Sequence, residues 1–233
     1  MIHLKVQTIV SRPFLQNSYV IWNPDASLVS GQIPAIVIDP GMEPETIIEI
    51  IQKNNLKLQG ILLTHGHADH IAGVPTLKSK FPECPVYIGS GDASFLTNPE
   101  LNLSRYYGYE LIIPEADRLL THGEVLDLAQ IPMKVWEIPG HSPGHVIFEI
   151  AAKRNTVFGG DVLFQGSIGR TDFPYGSFKL LSQGIFRYLW PMADETLVYS
   201  GHGQVTTIGD EKKNNPFVGI SSETYREYLK SQS

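Results

Sequence analysis

An α/β fold is expected from this sequence on three grounds. Short runs rich in valine, isoleucine and leucine recur along the 233 residues. Helix-like segments stand between these runs, so strand and helix alternate. Two of the runs, LLTHGHADHIAG at 62–73 and EIPGHSPGHVIF at 137–148, lead directly into histidine-bearing turns, as though two similar halves faced a shared site.

The opening stretch MIHLKVQTIVSRPF sets Lys5 and Arg12 around a short alternating apolar run. No basic region followed by an unbroken hydrophobic stretch is present, so it reads as a first strand and not as a secretion signal. Residues 35–39, 60–63, 86–89, 134–138, 146–150 and 156–160 are apolar runs of strand length, the pattern of buried strands. Between them, residues 43–53 place Ile47, Ile48 and Ile51 at helical spacing after a proline-containing start, and 70–81 and 178–190 are further predicted helices. Loops carrying Asn, Pro and Gly, such as 98–109, read as surface excursions. No low-complexity tract or shift in composition divides the chain, so residues 1–233 are expected to form one domain with a short polar helical tail from about residue 221.

Composition narrows the possible functions. A hydrophobic fraction of 42% with 18% charged residues describes a folded, turn-rich protein. No segment is long and apolar enough to span a bilayer. The single cysteine, Cys84, has no intramolecular partner, so a reducing cytoplasm is the expected compartment. A net charge of −6 opposes a broad nucleic-acid surface, which needs clustered lysine and arginine, but leaves a small anionic substrate open.

The chemistry concentrates in THGHADH. A strand ends directly in His65, His67, Asp69 and His70, four side chains of metal-ligand type on one tight turn. One such histidine alone would fit a solvated loop or a helix cap; four together point to metal. Residues 65 and 67 project from the same side of an extended end, whereas 69 and 70 point elsewhere as the chain enters a helix, so one turn serves two neighbouring ions. Imidazole and carboxylate donors suit zinc, iron, manganese and related ions, so the set points to a transition metal without choosing among them.

This passage resembles the HxHxDH signature of the metallo-β-lactamase superfamily. The further elements of that family are matched in order by His141 in IPGHSPGH, Asp161 in TVFGGDVLF and His202 in VYSGHG. The resemblance implies a four-layer αββα sandwich with two divalent ions at one end. It assigns one ion to His65, His67 and His141 and the other to Asp69, His70 and His202, with Asp161 bridging. Asp39 in VIDPG resembles the family aspartate that orients a ligand imidazole, and it also fits an ordinary Asp-Pro-Gly turn. His145 is expected in a second shell or in the sandwich core. His3 and His122 match no role and are expected to be structural or exposed.

Within the superfamily, GSIGRTDFPYG at 166–176 and GHGQVTTIGDEKKNNPF at 201–217 are similar to short bacterial glyoxalase II-like proteins. That implies hydrolysis of thioesters such as S-lactoylglutathione by metal-activated hydroxide, with Asp69 and Asp161 as the catalytic carboxylates. The larger glyoxalase II enzymes add a carboxy-terminal helical domain that supplies glutathione contacts, and the stretch after His202 is short by comparison. Their basic loop position corresponds to Arg170, expected either to meet a substrate carboxylate or to pair with Asp172. Competing readings are a persulfide dioxygenase with one iron on His65, His141 and Asp161, a noncatalytic metal-binding module, and a phosphodiesterase, which the acidic charge disfavours. The expected partner is a small thioester; nothing indicates an oligomeric state.

Overall fold

The computed structural model describes residues 2–232. Strands β1 (Lys5–Ser11), β2 (Gln16–Trp22), β3 (Ile33–Ile38), β4 (Leu56–Leu62), β5 (Val86–Gly89) and β6 (Arg118–Leu120) form one sheet in chain order. The first three are antiparallel, and β3 to β6 run parallel. The second sheet is ordered β14-β13-β10-β9-β8-β7, from β7 (Val125–Leu128), β8 (Ile131–Glu137), β9 (Val146–Ile150), β10 (Thr156–Gly160), β13 (Leu197–Ser200) and β14 (Thr206–Thr207). A small hairpin of β11 (Leu163–Phe164) and β12 (Ser167–Ile168) follows β10.

Alternation along the strands assigns each residue to a layer. Tyr19, Ile21, Ile36 and Ile38 turn toward Met133, Val135, Phe148 and Phe158 of the other sheet. The intervening Val20, Ala35 and Val37 turn outward onto Ile47 and Ile51 of α1 (Pro44–Lys53) and Leu77 of α3 (Val74–Lys80). On the opposite side Ile147, Val157 and Val198 meet Leu181 of α4 (Phe178–Gly184) and Ile208 of α5 (Ile208–Asn214). The result is helix on sheet on sheet on helix, the predicted four-layer αββα sandwich. Phe148 and Phe158 are fully buried between the sheets, each contributing about 2–3 kcal/mol of hydrophobic stabilisation.

Two predicted helices are interrupted. The stretch 70–81 divides into α2 (Ala68–Ile71) and α3. Pro75 has no N–H for the Ile71 carbonyl. Gly73 donates to the Pro40 carbonyl (2.8 Å), and a Cβ there would sit 2.6 Å from the Gly41 oxygen. The stretch 178–190 begins as α4, capped by Ser177, and relaxes into a π-turn over Ile185–Leu189, closed by Trp190 N–H to the Ile185 carbonyl. The terminal helix α6 (Glu223–Gln232) packs Tyr225 and Tyr228 on Phe186. No helix of the described residues is long and apolar enough to cross a membrane.

The excursion at 98–109 is a surface loop as expected, exposed over residues 105–108, but two of its polar residues are anchored inside the protein. Asn102 and Ser104 are fully buried. Asn102 donates to the Phe95 and Leu111 carbonyls, and its own carbonyl accepts from the N–H of Ala68, at the start of α2. Satisfying these backbone groups inside the protein makes the loop part of the framework for Asp69 and His70.

Candidate metal centre

Every predicted ligand follows the C-terminal end of a strand, and these ends share one edge of the sandwich. His65 to His70 follow β4, His141 follows β8, Asp161 follows β10 and His202 follows β13, and Asp39, expected to orient a ligand, follows β3 at the same edge. A register shift between Phe158 and Gly160, with Gly160 at φ +46°, turns the chain so that Asp161 leaves the sheet toward the histidines. Gly201 leaves space for it: a Cβ there would lie against the Asp161 carboxylate and within 2.7 Å of the His70 ring.

Four imidazoles are oriented through Nδ1. His141 Nδ1–H donates to the Arg170 carbonyl (2.8 Å) and His202 Nδ1–H to the Phe14 carbonyl (3.1 Å). Carbonyls only accept, so these nitrogens carry the proton and Nε2 faces the site. The Thr64 hydroxyl donates to Asp39 Oδ2 (2.6 Å), so its oxygen accepts from His65 Nδ1–H (3.1 Å). Asp39 Oδ2 also accepts from His70 Nδ1–H (2.9 Å).

The inward atoms form two groups of ligand type. His65, His67 and His141 make one, with His67 Nδ1 and His141 Nε2 2.9 Å apart. Asp69, His70 and His202 make the other, with Asp69 Oδ2 at 3.2 Å from His202 Nε2 and 3.7 Å from His70 Nε2. Asp161 stands between them: Oδ2 is 3.4 Å from His141 Nε2 and 3.6 Å from His202 Nε2, and Oδ1 is 3.4 Å from His70 Nε2. These separations lie near the ~3.3 Å edge of a tetrahedron built on metal–nitrogen bonds of about 2.0 Å. His65 Nε2, His70 Nε2 and Asp161 Oδ1 are buried with no hydrogen-bond partner. Buried polar atoms are rarely left so, and divalent cations satisfy all three.

The electrostatics fit the same occupants. Burial, reinforced by neighbouring imidazoles, holds His65 well below the usual histidine value and His67 down to about 3, leaving neutral rings with a lone pair to donate. Burial pushes Asp161 upward, but His70 and His202 outweigh it and keep the carboxyl well below its usual range; Asp69 is lowered in the same way. Burial also lowers His70 and His202, and there the surrounding carboxylates win and raise both.

Opposite shifts predict a stability maximum for the metal-free protein. His65, His67 and His145 are lowered, so below about pH 6.5 the unfolded chain binds more protons than the folded one and acid destabilises. His70 and His202 are raised, so above that pH the folded chain holds the extra protons and alkali destabilises. Each fully linked group contributes about 1.4 kcal/mol per pH unit. Melting of chelated protein across pH 5–9 should peak near 6.5, and saturating metal should remove the alkaline decline; a profile flat across this range contradicts the assignment.

His145 is fully buried, stacks on His65 with ring centroids 4.8 Å apart, and accepts the Asp161 N–H at Nε2 (3.0 Å). It therefore holds the backbone that carries Asp161. Asp39→Ala should weaken the metal at the His70 group by about 10- to 100-fold, because that imidazole loses its orienting acceptor. Competition with a chromophoric chelator measures this, and unchanged affinity would remove Asp39 from that role.

Arg170 lines the cleft beside the cluster, but its guanidinium is exposed and paired bidentately with Asp172 (2.9 and 2.8 Å). The sequence reading overlooked its carbonyl, which anchors His141. It also overlooked Asp92, fully buried, which accepts from Gly66 N–H (3.0 Å) in one histidine turn and from the Ser142 hydroxyl (2.6 Å) and Gly144 N–H (2.6 Å) in the other. Asn17 was likewise missed; it clasps the His202 turn by donating to the Ser200 and Gly203 carbonyls. His3 lies 3.8 Å from exposed Asp25, and His122 accepts from Glu137 N–H, so both stand apart from the centre.

The cleft over the cluster holds about 210 Å³, with Phe14, Leu103, Tyr107, Phe164 and Phe173 as its apolar wall. Pockets that enclose a drug-sized ligand are larger, about 300–1,000 Å³. This one is sized for the reacting end of a substrate.

Comparison with known proteins agrees with this geometry. A family model for the metallo-beta-lactamase superfamily matches residues 11–202. The chain is 36% identical over 225 residues to hydroxyacylglutathione hydrolase GloC of Haemophilus influenzae, covering 94% of this chain and 100% of that one. Among solved structures it is similar to the B3 metallo-beta-lactamase BLEG-1, with 38% identity, a TM-score of 0.85 and coverage of 92% and 99%. It is also similar to TTHA1623, solved in a di-iron-bound form, with 35% identity, a TM-score of 0.77 and coverage of 91% and 100%. The strand-end cluster, the four-layer sandwich and these matches together show that the chain belongs to the metallo-β-lactamase superfamily.

Proposed function

We propose that the protein is a dinuclear metal-dependent thioester hydrolase of the glyoxalase II type, acting on S-acyl-glutathione thioesters such as S-lactoylglutathione. The observation that carries this reading is Asp161, whose two carboxylate oxygens face both ligand groups at once. His65, His67 and His141 would hold one ion and Asp69, His70 and His202 the other, with zinc the proposed metal and iron or manganese compatible donors. Two such ions, when bound, would lower the pKa of water toward neutrality and polarise a carbonyl.

The residues of the chain supply the rest. Asp161 sets the spacing of the two groups, and Asp39, Thr64 and the Arg170 carbonyl hold the imidazoles in the tautomers that ligation needs. Asp69 lines the cleft as an anion and would accept a proton released as water adds to the acyl carbon. The apolar wall excludes bulk water from the acyl group. The reaction consumes one water: the C–S bond breaks, a C–O bond forms, and a carboxylate, a thiol and a proton leave. A thiolate departs readily, so no dedicated acid is required.

The second ligand group supports two ions over the single iron of a persulfide dioxygenase, and a noncatalytic module would not need the cleft. The test is elemental analysis of protein purified without added metal, joined to assays of S-lactoylglutathione hydrolysis and of persulfide-dependent oxygen uptake. Near two metals per chain with thioester cleavage is the expected result. One iron per chain with oxygen uptake and no cleavage would overturn it, and bound metal with neither activity would leave the noncatalytic module.

A further inference from the structure

Arg170 is the one lysine or arginine lining the cleft among the described residues. Its fork is already occupied by Asp172, with Nε to Oδ1 at 2.9 Å and Nη2 to Oδ2 at 2.8 Å, and its guanidinium lies 4.3 Å over the Phe173 ring. Arg105, between the cleft residues Leu103 and Tyr107, is held by Glu100 (2.8 Å) and Glu110 (2.6 Å). Arg12, two residues before Phe14, lies outside the lining. The remaining wall is Phe14, Leu103, Tyr107, Phe164 and Phe173.

A substrate carboxylate arriving at Arg170 meets a bidentate partner of its own chemical type. Displacing Asp172 exchanges one carboxylate for another, and the displaced anion stays two residues away and repels the newcomer. The exchange gives little net attraction, whereas apolar contact with the wall is available to any thioester.

We propose that Asp172 is a specificity-determining residue: by occupying the fork of Arg170 it makes the site indifferent to the charge of the leaving thiol, so that thioesters of uncharged thiols are substrates alongside those of glutathione. This inference rests on the thioester hydrolase reading above. Recognition lies in the acyl end and the aromatic wall, and the thiol portion extends past a cleft too small to enclose it.

The test compares S-lactoylglutathione with its diethyl ester, which keeps the peptide but loses both carboxylate charges, in the metal-loaded full chain. The readout is the ratio of kcat/KM for the dicarboxylate thioester over its diester, a quantity that loss of folded enzyme does not move. The wild-type ratio is expected within about threefold of one. Asp172→Asn, which frees the guanidinium, should raise it about three- to tenfold, mainly through KM. Asp172→Asn with Arg170→Ala should return it to the wild-type value while keeping the backbone carbonyl that anchors His141. A wild-type ratio above ten, or a ratio unmoved by Asp172→Asn, overturns the inference and leaves the hydrolase reading intact. Cleavage of neither thioester overturns both.

Discussion

Asp161→Ala is expected to lower thioester hydrolysis by at least about a thousandfold, equivalent to about 4 kcal/mol of transition-state stabilisation, and to leave fewer than two metals per chain. The carboxylate lies 3.4 Å from His70 and His141 and 3.6 Å from His202, so its removal takes away the one anion shared by both ligand groups. The fold should survive, because the Asp161 N–H to His145 is a backbone contact that the substitution preserves. Asp161→Asn tests charge against shape. It retains one oxygen for one group, and should keep more metal than alanine while remaining far slower than wild type. Metal content, a circular dichroism spectrum and initial rates decide the matter. Two metals per chain with an undiminished rate in Asp161→Ala would remove this residue from the centre.

The second large effect is on stability and falls on a residue outside both ligand groups. Asp92→Ala is expected to destabilise the protein by about 4 kcal/mol, since three buried donors lose their acceptor and each such loss costs about 1–3 kcal/mol. For a chain of this size that corresponds to a melting temperature lower by roughly 8–16 °C. Asp92 joins Gly66 in the turn carrying His65 and His67 to Ser142 and Gly144 in the turn carrying His141, partners up to 52 residues distant in sequence. Both halves of one ligand group therefore hang on it, and metal affinity should fall together with stability. Asp92→Asn can accept with one oxygen only, and its melt should lie between alanine and wild type. A melting temperature for Asp92→Ala within 2 °C of wild type would show that the two turns hold their positions independently.

The α/β alternation, half of the fourteen described strands and the THGHADH turn were legible in the amino-acid order because each is a local signal. His141, Asp161 and His202, by contrast, were reached only through the family resemblance, and strands such as β2 and β13 were not read at all. Apolar runs of strand length at 86–89, 146–150 and 156–160 coincide with β5, β9 and β10, buried on both faces as such runs must be. THGHADH is dense enough that no ordinary turn explains it, and its residues follow a strand whose end already points at the site. Other features depend on contacts between segments far apart. Asp92 and Asn17 look in sequence like any polar residue beside a turn; only closure of the two sheets buries them against carbonyls and N–H groups from other loops. Helix 70–81 breaks because Gly73 must approach the backbone at Pro40 and Gly41, a steric demand with no periodic signature. Arg170 offered two partners in the linear order, and the folded loop joined it to Asp172 while turning its carbonyl onto His141. The first ligand cluster and half of the strands were thus readable from short-range pattern. Which nitrogen of each imidazole faces inward, and which buried acids hold the turns, followed from packing, because a buried polar atom takes its role from whatever group the rest of the chain brings within about 3 Å of it.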